Sequence, residues 1–273
     1  MHPRHLTWQP PDFEAIELLP KRTRYCIVVT TWNEGDRLRG QLARMLELSG
    51  LADIVIADWH SSDGSTDPEL LRGHGVRTLL VTDEGGLGTA IRMSLAYAIE
   101  QGYEGVVTLD GNGKDGVQAI PEFLRRLEDG WDFVQGSRFL TDGVHANTPL
   151  DRHLGIRLIV SPLLSLTARR RITDPTNGFR AMSRAYLTDP GLQPIRKVFV
   201  RFNLQLYLVY RAVPLGYRFI EIPVVRRYPS EGTIPTKITD LRTKLLFVAE
   251  LLRTVLGRYN APPNRCGEPI ERP

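Results

Sequence analysis

The chain has 273 residues, 42% of them hydrophobic and 24% charged, with a formal net charge of +4. This is ordinary globular composition, long enough for one large domain or a domain with a C-terminal appendage. No run approaches the ~18 to 20 apolar residues of a membrane span, and the mild positive charge suits anionic ligands or a membrane surface without demanding nucleic acid.

The first 24 residues lack the apolar core of a signal peptide and read as an N-terminal extension. "YCIVVTTW" (25–32) reads as a buried strand, and "DRLRGQLARMLELSG" has helical periodicity ending at Gly50. Strands follow at 53–58 and 76–83, a helix at 87–102, a strand at 104–111, a helix at 120–130 and a strand at 132–139. Strands alternating with helices predict an α/β fold, a mainly parallel sheet covered on both faces. Beyond 140 the pattern changes: 155–168 and 201–216 read as apolar helices, 218–228 as a strand and 239–259 as an amphipathic helix. The tail 260–273 is Pro-rich and irregular. Cys26 and Cys266 give no metal spacing and no disulfide framework, so a reduced, cytoplasmic setting is expected.

In such sheets ligands sit beyond the C-terminal strand ends. Here "TWNE", "DWHSSDGS", "DEGG", "DGNGKD" and "GSRF" follow successive strands and should meet on one rim. Neither GxGxxG after the first strand nor GxxxxGK[ST] anywhere is present, which argues against a dinucleotide dehydrogenase and a P-loop NTPase. "TLDGNGKDG" (108–116) looks like a calcium loop but fails as an EF-hand. Counted from Asp110, position 5 is Lys114, position 6 is Asp115 and position 12 is Pro121.

Taken in order, the motifs resemble family 2 glycosyltransferases of the GT-A fold, especially the polyprenyl-phosphate sugar synthases related to dolichol-phosphate mannose synthase. "VVTTWNEGDRL" resembles the family's opening strand and P-x-Y-N-E turn, and "ADWHSSDGS" its VDDGSTDGT. The block from "GGLGTAIRMSL" to "GSRF" resembles the central segment with D-x-D-x-Q-H-P-P-E and G-S-R-[FY]. "DPTNGFRAMSR" resembles D-x-T-x-G-F-R, and "RRYPSEGTIPTKI" the final R-x-x-G-x-S-K. The resemblance covers roughly residues 25 to 240, and residues 25–238 are read as the GT-A domain with 239–259 as an appended helix.

The resemblance implies roles residue by residue. Thr31, Asn33, Glu34, Asp58, Asp63, Gly88, Asp110 and Gly111 fall on nucleotide-binding positions. Keeping strand 53–58 in place puts Asp58 on the first acid of the family pair, with Trp59 replacing the second; Asp63 and Asp67 also suit turn and helix-cap chemistry. Asp110 keeps the first acid of the metal motif, Asn112 replaces the second and Lys114 replaces the Gln, so a divalent cation, Mg²⁺ or Mn²⁺, is expected at Asp110 and Asn112 but weakened. Arg138, Arg180, Arg227 and Lys237 match basic positions around the family's phosphates, and Lys114, in place of the Gln, could touch a phosphate directly. Asp110, Arg138 and Arg180 are the catalytic candidates, and Asp174 the weaker candidate for a base.

The implied activity is inverting transfer of a sugar from a nucleotide-diphosphate sugar to a polyprenyl phosphate or related membrane-associated acceptor. An anionic acceptor needs no general base, whereas a saccharide hydroxyl would. Transfer to such a hydroxyl in surface-polysaccharide assembly, and a non-catalytic nucleotide-sugar-binding protein, are the alternatives. No nucleic-acid partner is expected. The location is expected to be cytoplasmic or peripheral at the cytoplasmic membrane face, with 239–259 lying on lipid or packed on the domain.

Overall fold

The computed structural model describes residues 8–48, 50–229 and 240–261. Its main sheet grows from two strands buried along their whole length, β2 (Tyr25–Thr31) and β3 (Asp53–Asp58), after a short edge strand β1 (Glu14–Glu17). Alternation sends their side chains to opposite faces. Ile27, Val29, Ile54 and Ile56 enter one core, and Cys26, Val28, Val55 and Ala57 the other. A strand buried on both faces has no polar side, which is why these segments read as continuous apolar runs.

Helices α1 (Asp36–Met45), α2 (Pro68–Gly73) and α4 (Ile120–Glu128) cover the first face through Leu38, Leu71 and Phe123. Asp67 caps α2 by accepting from Leu70 N at 3.0 Å. Helix α3 (Leu87–Glu100) covers the other face, with α6 (Ser161–Ala168) and α8 (Asn203–Ala212) packed beside it.

Eight strands form the main sheet in the order β1-β4-β3-β2-β5-β8-β6-β9. The others are β4 (Val76–Val81), β5 (Gly105–Asp110), β6 (Phe133–Ser137), β8 (Arg180–Ser183) and β9 (Phe219–Pro223). Pairing is parallel except for β1 on β4 and for β8 between β5 and β6. The segment before residue 25 thus supplies an edge strand. The antiparallel course of β8 starts it at Arg180, opposite Thr108, so the 174–179 loop lands on the same rim as the end of β5.

The expected strand 218–228 is two strands in two sheets. After Pro223 the chain leaves the main sheet, and β10 (Val225–Arg227) pairs in parallel with β7 (Val144–Ala146). Loop 111–116 draws it there: Gly116 N donates to Val225 O at 2.9 Å, and Arg227 N to Lys114 O at 2.9 Å. The expected helix at 155–168 begins earlier, at α5 (Leu150–Gly155), and reaches α6 through a π-helical stretch, Ile156–Val160. Pro162 has no N–H to donate back into this stretch. The short helix α7 (Arg184–Leu187) follows β8, and α9 (Leu241–Val255) starts at Asp240, which accepts from Thr243 N at 2.7 Å. Among the described residues, no helix is long and apolar enough to cross a membrane.

The start of α3 is pressed on the backbone of 200–201. Gly88 N donates to Val200 O at 2.9 Å, and a Cβ added at Gly88 would lie 2.6 Å from Arg201 O. Backbone cannot retreat as a flexible side chain would, so Gly88→Ala is expected to lose about 1–3 kcal/mol in urea denaturation. Gly85→Ala, where a Cβ meets nothing within 4 Å, should stay within about 0.5 kcal/mol of wild type. Equal losses in the two variants would refute the close-approach account.

Candidate active site

Two rim loops are knitted by side chains rather than held by secondary structure. Asn33, left-handed at φ 51°, accepts from Ser62 N at 2.8 Å through Oδ1, while its own N–H donates to Ser61 Oγ at 2.8 Å. Asp63 accepts from Gly35 N at 2.7 Å and from Ser65 Oγ at 2.6 Å. Asp58 accepts from Ser61 Oγ at 2.6 Å, Ser61 N at 3.0 Å and Thr66 Oγ1 at 3.3 Å. Burial raises the Asp58 carboxyl above its ordinary range despite these bonds. Asn33, Asp58 and Asp63 therefore shape the loops. The groups these loops present to the adjoining pocket are Trp32, Trp59 and Glu34, with the two indoles 6.0 Å apart and 24° from parallel. Thr31, Gly88 and Gly111 are not among its lining residues.

At the end of β5, Asp110 Oδ2 accepts from Arg226 Nη2 at 3.0 Å and from Asn112 Nδ2 at 3.3 Å. Asn112 Oδ1 in turn accepts from Lys114 N at 3.3 Å. Arg226 Nη1 donates to both oxygens of Asp115, at 2.6 and 2.7 Å, and to Asn177 Oδ1 at 3.2 Å. Burial pushes the Asp110 carboxyl up, but the Arg226 and Lys114 charges outweigh it and hold the group below its usual range. Burial and then the Arg226 charge bring the Lys114 amine down to about 8. Its ammonium stands 4.8 Å from the centre of the Tyr228 ring. Burial alone would raise the Tyr228 phenol, yet Arg226, Arg152, Lys114 and Arg138 bring it down to about 7.

The later motifs are distributed differently from expectation. Arg138 lines the pocket, gripped by Asp174 through Nε at 2.6 Å and Nη2 at 3.0 Å; both side chains are buried. Asp174 is thus committed to an ion pair. Arg180 is also fully buried, but its guanidinium binds the carbonyls of Gln205 at 2.7 Å and Asn177 at 2.5 Å, so it clamps the 174–179 loop to α8 and does not line the pocket. Arg227 is exposed and away from the pocket, whereas Arg226, one residue earlier, faces Asp110. Lys237 lies outside the described residues.

The groups that do line the pocket share one cavity of about 1020 Å³. Asp110, Asn112, Lys114, Arg138 and Arg226 lie at the sheet rim, and Ile156, Ile159, Phe247 and Leu251 supply an apolar wall from the 150–168 helices and α9. Arg152, Lys244 and Tyr228 lie on its boundary as well; Arg152 Nη1 donates to the Tyr228 hydroxyl at 2.9 Å, and Lys244 pairs with Asp151 at 2.6 Å. The sequence reading passed over Arg152, Arg226, Tyr228 and Lys244. The alternation of β10 could have separated Arg226 from Arg227 had the strand break at Val224 been visible. Arg152 and Lys244 carried no motif.

No family model matches the chain. It is 27% identical over 204 residues to an undecaprenyl-phosphate mannosyltransferase of Micrococcus luteus, covering 74% of this chain and 82% of the relative. It is 25% identical over 235 residues to a polyprenol monophosphomannose synthase of Mycolicibacterium smegmatis, covering 83% and 86%. In structure it is similar to glucosyl-3-phosphoglycerate synthase from Mycobacterium tuberculosis in complex with Mn²⁺, UDP and phosphoglyceric acid, with a TM-score of 0.63, 16% identity, and 88% and 80% of the two chains covered. The fold and its rim site define a glycosyltransferase of the GT-A fold. Within that class, the chain resembles the family 2 polyprenyl-phosphate sugar synthases.

The cations around Tyr228 have a measurable consequence. A phenol whose folded value, about 7, lies below its ordinary value of 10.0 contributes stability that is full above the unfolded value and lost as pH falls through 7. One tyrosinate absorption step is therefore expected near neutrality in the native protein and absent in Tyr228→Phe. A wild-type step only near the ordinary tyrosine value would contradict the charge arrangement.

Proposed function

We propose that this chain moves a sugar from a nucleotide-diphosphate sugar to a polyprenyl phosphate, with inversion at the anomeric carbon. The observation that carries the reading is the pocket itself, in which a cluster of cations passes directly into an apolar wall. A phosphate on a long hydrocarbon chain has those two parts in that order.

The carboxylates give a second argument. Among the described residues three line the pocket, and each is in an ion pair: Glu34 with Arg37, Asp110 with Arg226 and Asp151 with Lys244. Asp174, the candidate base, is held by Arg138. A saccharide hydroxyl needs a base to take its proton, whereas a phosphate acceptor is already an anion. The nucleotide diphosphate would lie along the rim by Asp110, and Arg138 and Arg152 would steady the acceptor phosphate for in-line attack.

The expectation of Mg²⁺ or Mn²⁺ at Asp110 and Asn112 draws support from the Mn²⁺ bound with UDP in the structural neighbour. The donor set here fits such an ion poorly. Among the described residues there is no cluster of three His, Cys, Asp or Glu suited to a metal. The one acid at the two motif positions already accepts from Arg226, and the Asn112 amide is engaged on both sides. No step of the reaction is assigned to a metal.

Membrane contact belongs to the same reading. Leu158 (70% exposed) on the π-helical stretch and Leu245 (61%) on α9 adjoin pocket-lining residues along their helices, and Leu166 (77%) and Leu256 (70%) are further exposed leucines of α6 and the end of α9. Arg157 and Arg253 supply charge for anionic headgroups.

The test follows radiolabelled sugar from UDP- and GDP-sugars into polyprenyl phosphate carried in anionic vesicles. Arg152→Gln is expected to lower transfer about tenfold or more while nucleotide affinity changes little, the scale of a lost charged hydrogen bond. Leu158→Glu with Leu245→Glu should abolish vesicle flotation but spare transfer to detergent-dispersed acceptor. Sugar passing only to a saccharide hydroxyl would overturn the acceptor assignment, and unchanged flotation the membrane contact.

A further inference from the structure

Against the family pattern D-x-D-x-Q, this chain reads Asp110-x-Asn112-x-Lys114. Losing one carboxylate makes the motif more positive by one charge and replacing Gln with Lys by another, together the charge of one divalent ion. Both substituted side chains line the pocket and both residues are buried.

A second observation comes from a different part of the chain. Arg226 enters from β10 and puts its guanidinium beside Asp110, with Nη2 at 3.0 Å from Oδ2. Asp115 alone would satisfy Nη1. The guanidinium nevertheless reaches past Asp115 to the pocket edge, and its buried Nε has no hydrogen-bond partner among the described residues. A divalent ion on Asp110 would have to share that carboxylate with a fixed cation.

We propose that Lys114 and Arg226 neutralise the departing diphosphate in place of a divalent ion, so that this chain binds its donor and transfers the sugar without one. The inference rests on the glycosyltransferase reading. In the step itself, the bond from the anomeric carbon to the β-phosphate oxygen breaks, and both electrons stay on that oxygen. An oxygen of the acceptor phosphate supplies the pair for the new carbon–oxygen bond, and no proton has to move. The leaving diphosphate gains one negative charge, to be met by the Lys114 ammonium and the Arg226 N–H groups. Fixed cations need no reorganisation as that charge develops. The second carboxylate that helps to hold a metal would, without the metal, repel the phosphates. Asn112 removes that repulsion.

The experiment is calorimetry of the full chain with UDP, GDP, CDP and dTDP, first in excess EDTA and then with Mn²⁺. The diphosphate that binds should do so with affinity equal within about twofold in the two conditions. The paired substitution Asn112→Asp with Lys114→Gln restores the family motif. It should weaken binding in EDTA about tenfold or more, the scale of lost charge-assisted contacts, and regain it with Mn²⁺. Mn²⁺ EPR should show no ion held by the wild-type nucleotide complex and one held by the paired variant. This variant leaves the buried Arg226–Asp115 pair intact, so a folding defect does not decide the result. Wild-type affinity that collapses in EDTA and returns with Mn²⁺ overturns the proposal while leaving the transferase reading in place. Binding of none of the four diphosphates overturns both.

Discussion

Taking an arginine out of water costs several kcal/mol unless its charge and its N–H groups are met. Arg226 is only 6% exposed and sits between two carboxylates five residues apart, one ending β5 and the other in the rim loop that follows. This ion cluster ties β10 to the end of β5, and the neighbouring main-chain bonds of Val225 and Arg227 reinforce it. Position and charge are therefore fixed together. The loop that would meet a diphosphate is held rigid by the cation that would face it, and leaving Asp115 or Arg226 alone would strand a buried charge. Arg138 and Asp174 repeat the arrangement one strand further along, joining the end of β6 to the loop before β8.

The order of strands and helices was legible because each buried strand is a continuous apolar run and each polar loop follows a strand end. That pattern also located the rim, and Asp110, Asn112 and Lys114 do come together there at the pocket edge. What the sequence hid was pairing over long separations. Strand β8 is four residues long and antiparallel, too short for its alternation to stand out in the sequence. Arg180 matches a phosphate-binding position by order along the chain, but its burial against the carbonyls of Gln205 and Asn177 depends on where α8 lies. The choice between Arg226 and Arg227 is a one-residue register, and in a strand one residue turns a side chain to the other face. Arg152 and Lys244 sit in amphipathic helices whose Leu and Arg positions suit a solvated face equally well.

The two halves of the pocket differ in construction. The side proposed for the nucleotide consists of loops that satisfy their own side chains, with Asp58, Asp63 and Asn33 holding backbone. The side chains these loops turn to the pocket are Trp32, Trp59 and Glu34. The side proposed for the acceptor consists of helices whose apolar residues are only partly covered, and an edge of Arg and Lys lies between them and the rim. A rigid donor half suits a small ligand that must be placed accurately, and a helical half with exposed leucines suits a long chain held mainly by apolar area.

The charges at the junction connect these halves to the chemistry. Two phosphates brought close together repel, and in a pocket walled by apolar side chains that repulsion is poorly screened. Lys114, Arg138, Arg152 and Arg226 all act on the Tyr228 phenol strongly enough to bring it to about 7, which shows how concentrated the positive potential is at that point. A site of this kind favours whichever bound species carries the most negative charge. On the proposed reading it would take a phosphate in preference to a saccharide hydroxyl. At the moment of transfer it also favours the diphosphate that has just gained a charge over the donor that has not, and that difference, rather than tight binding alone, lowers a barrier.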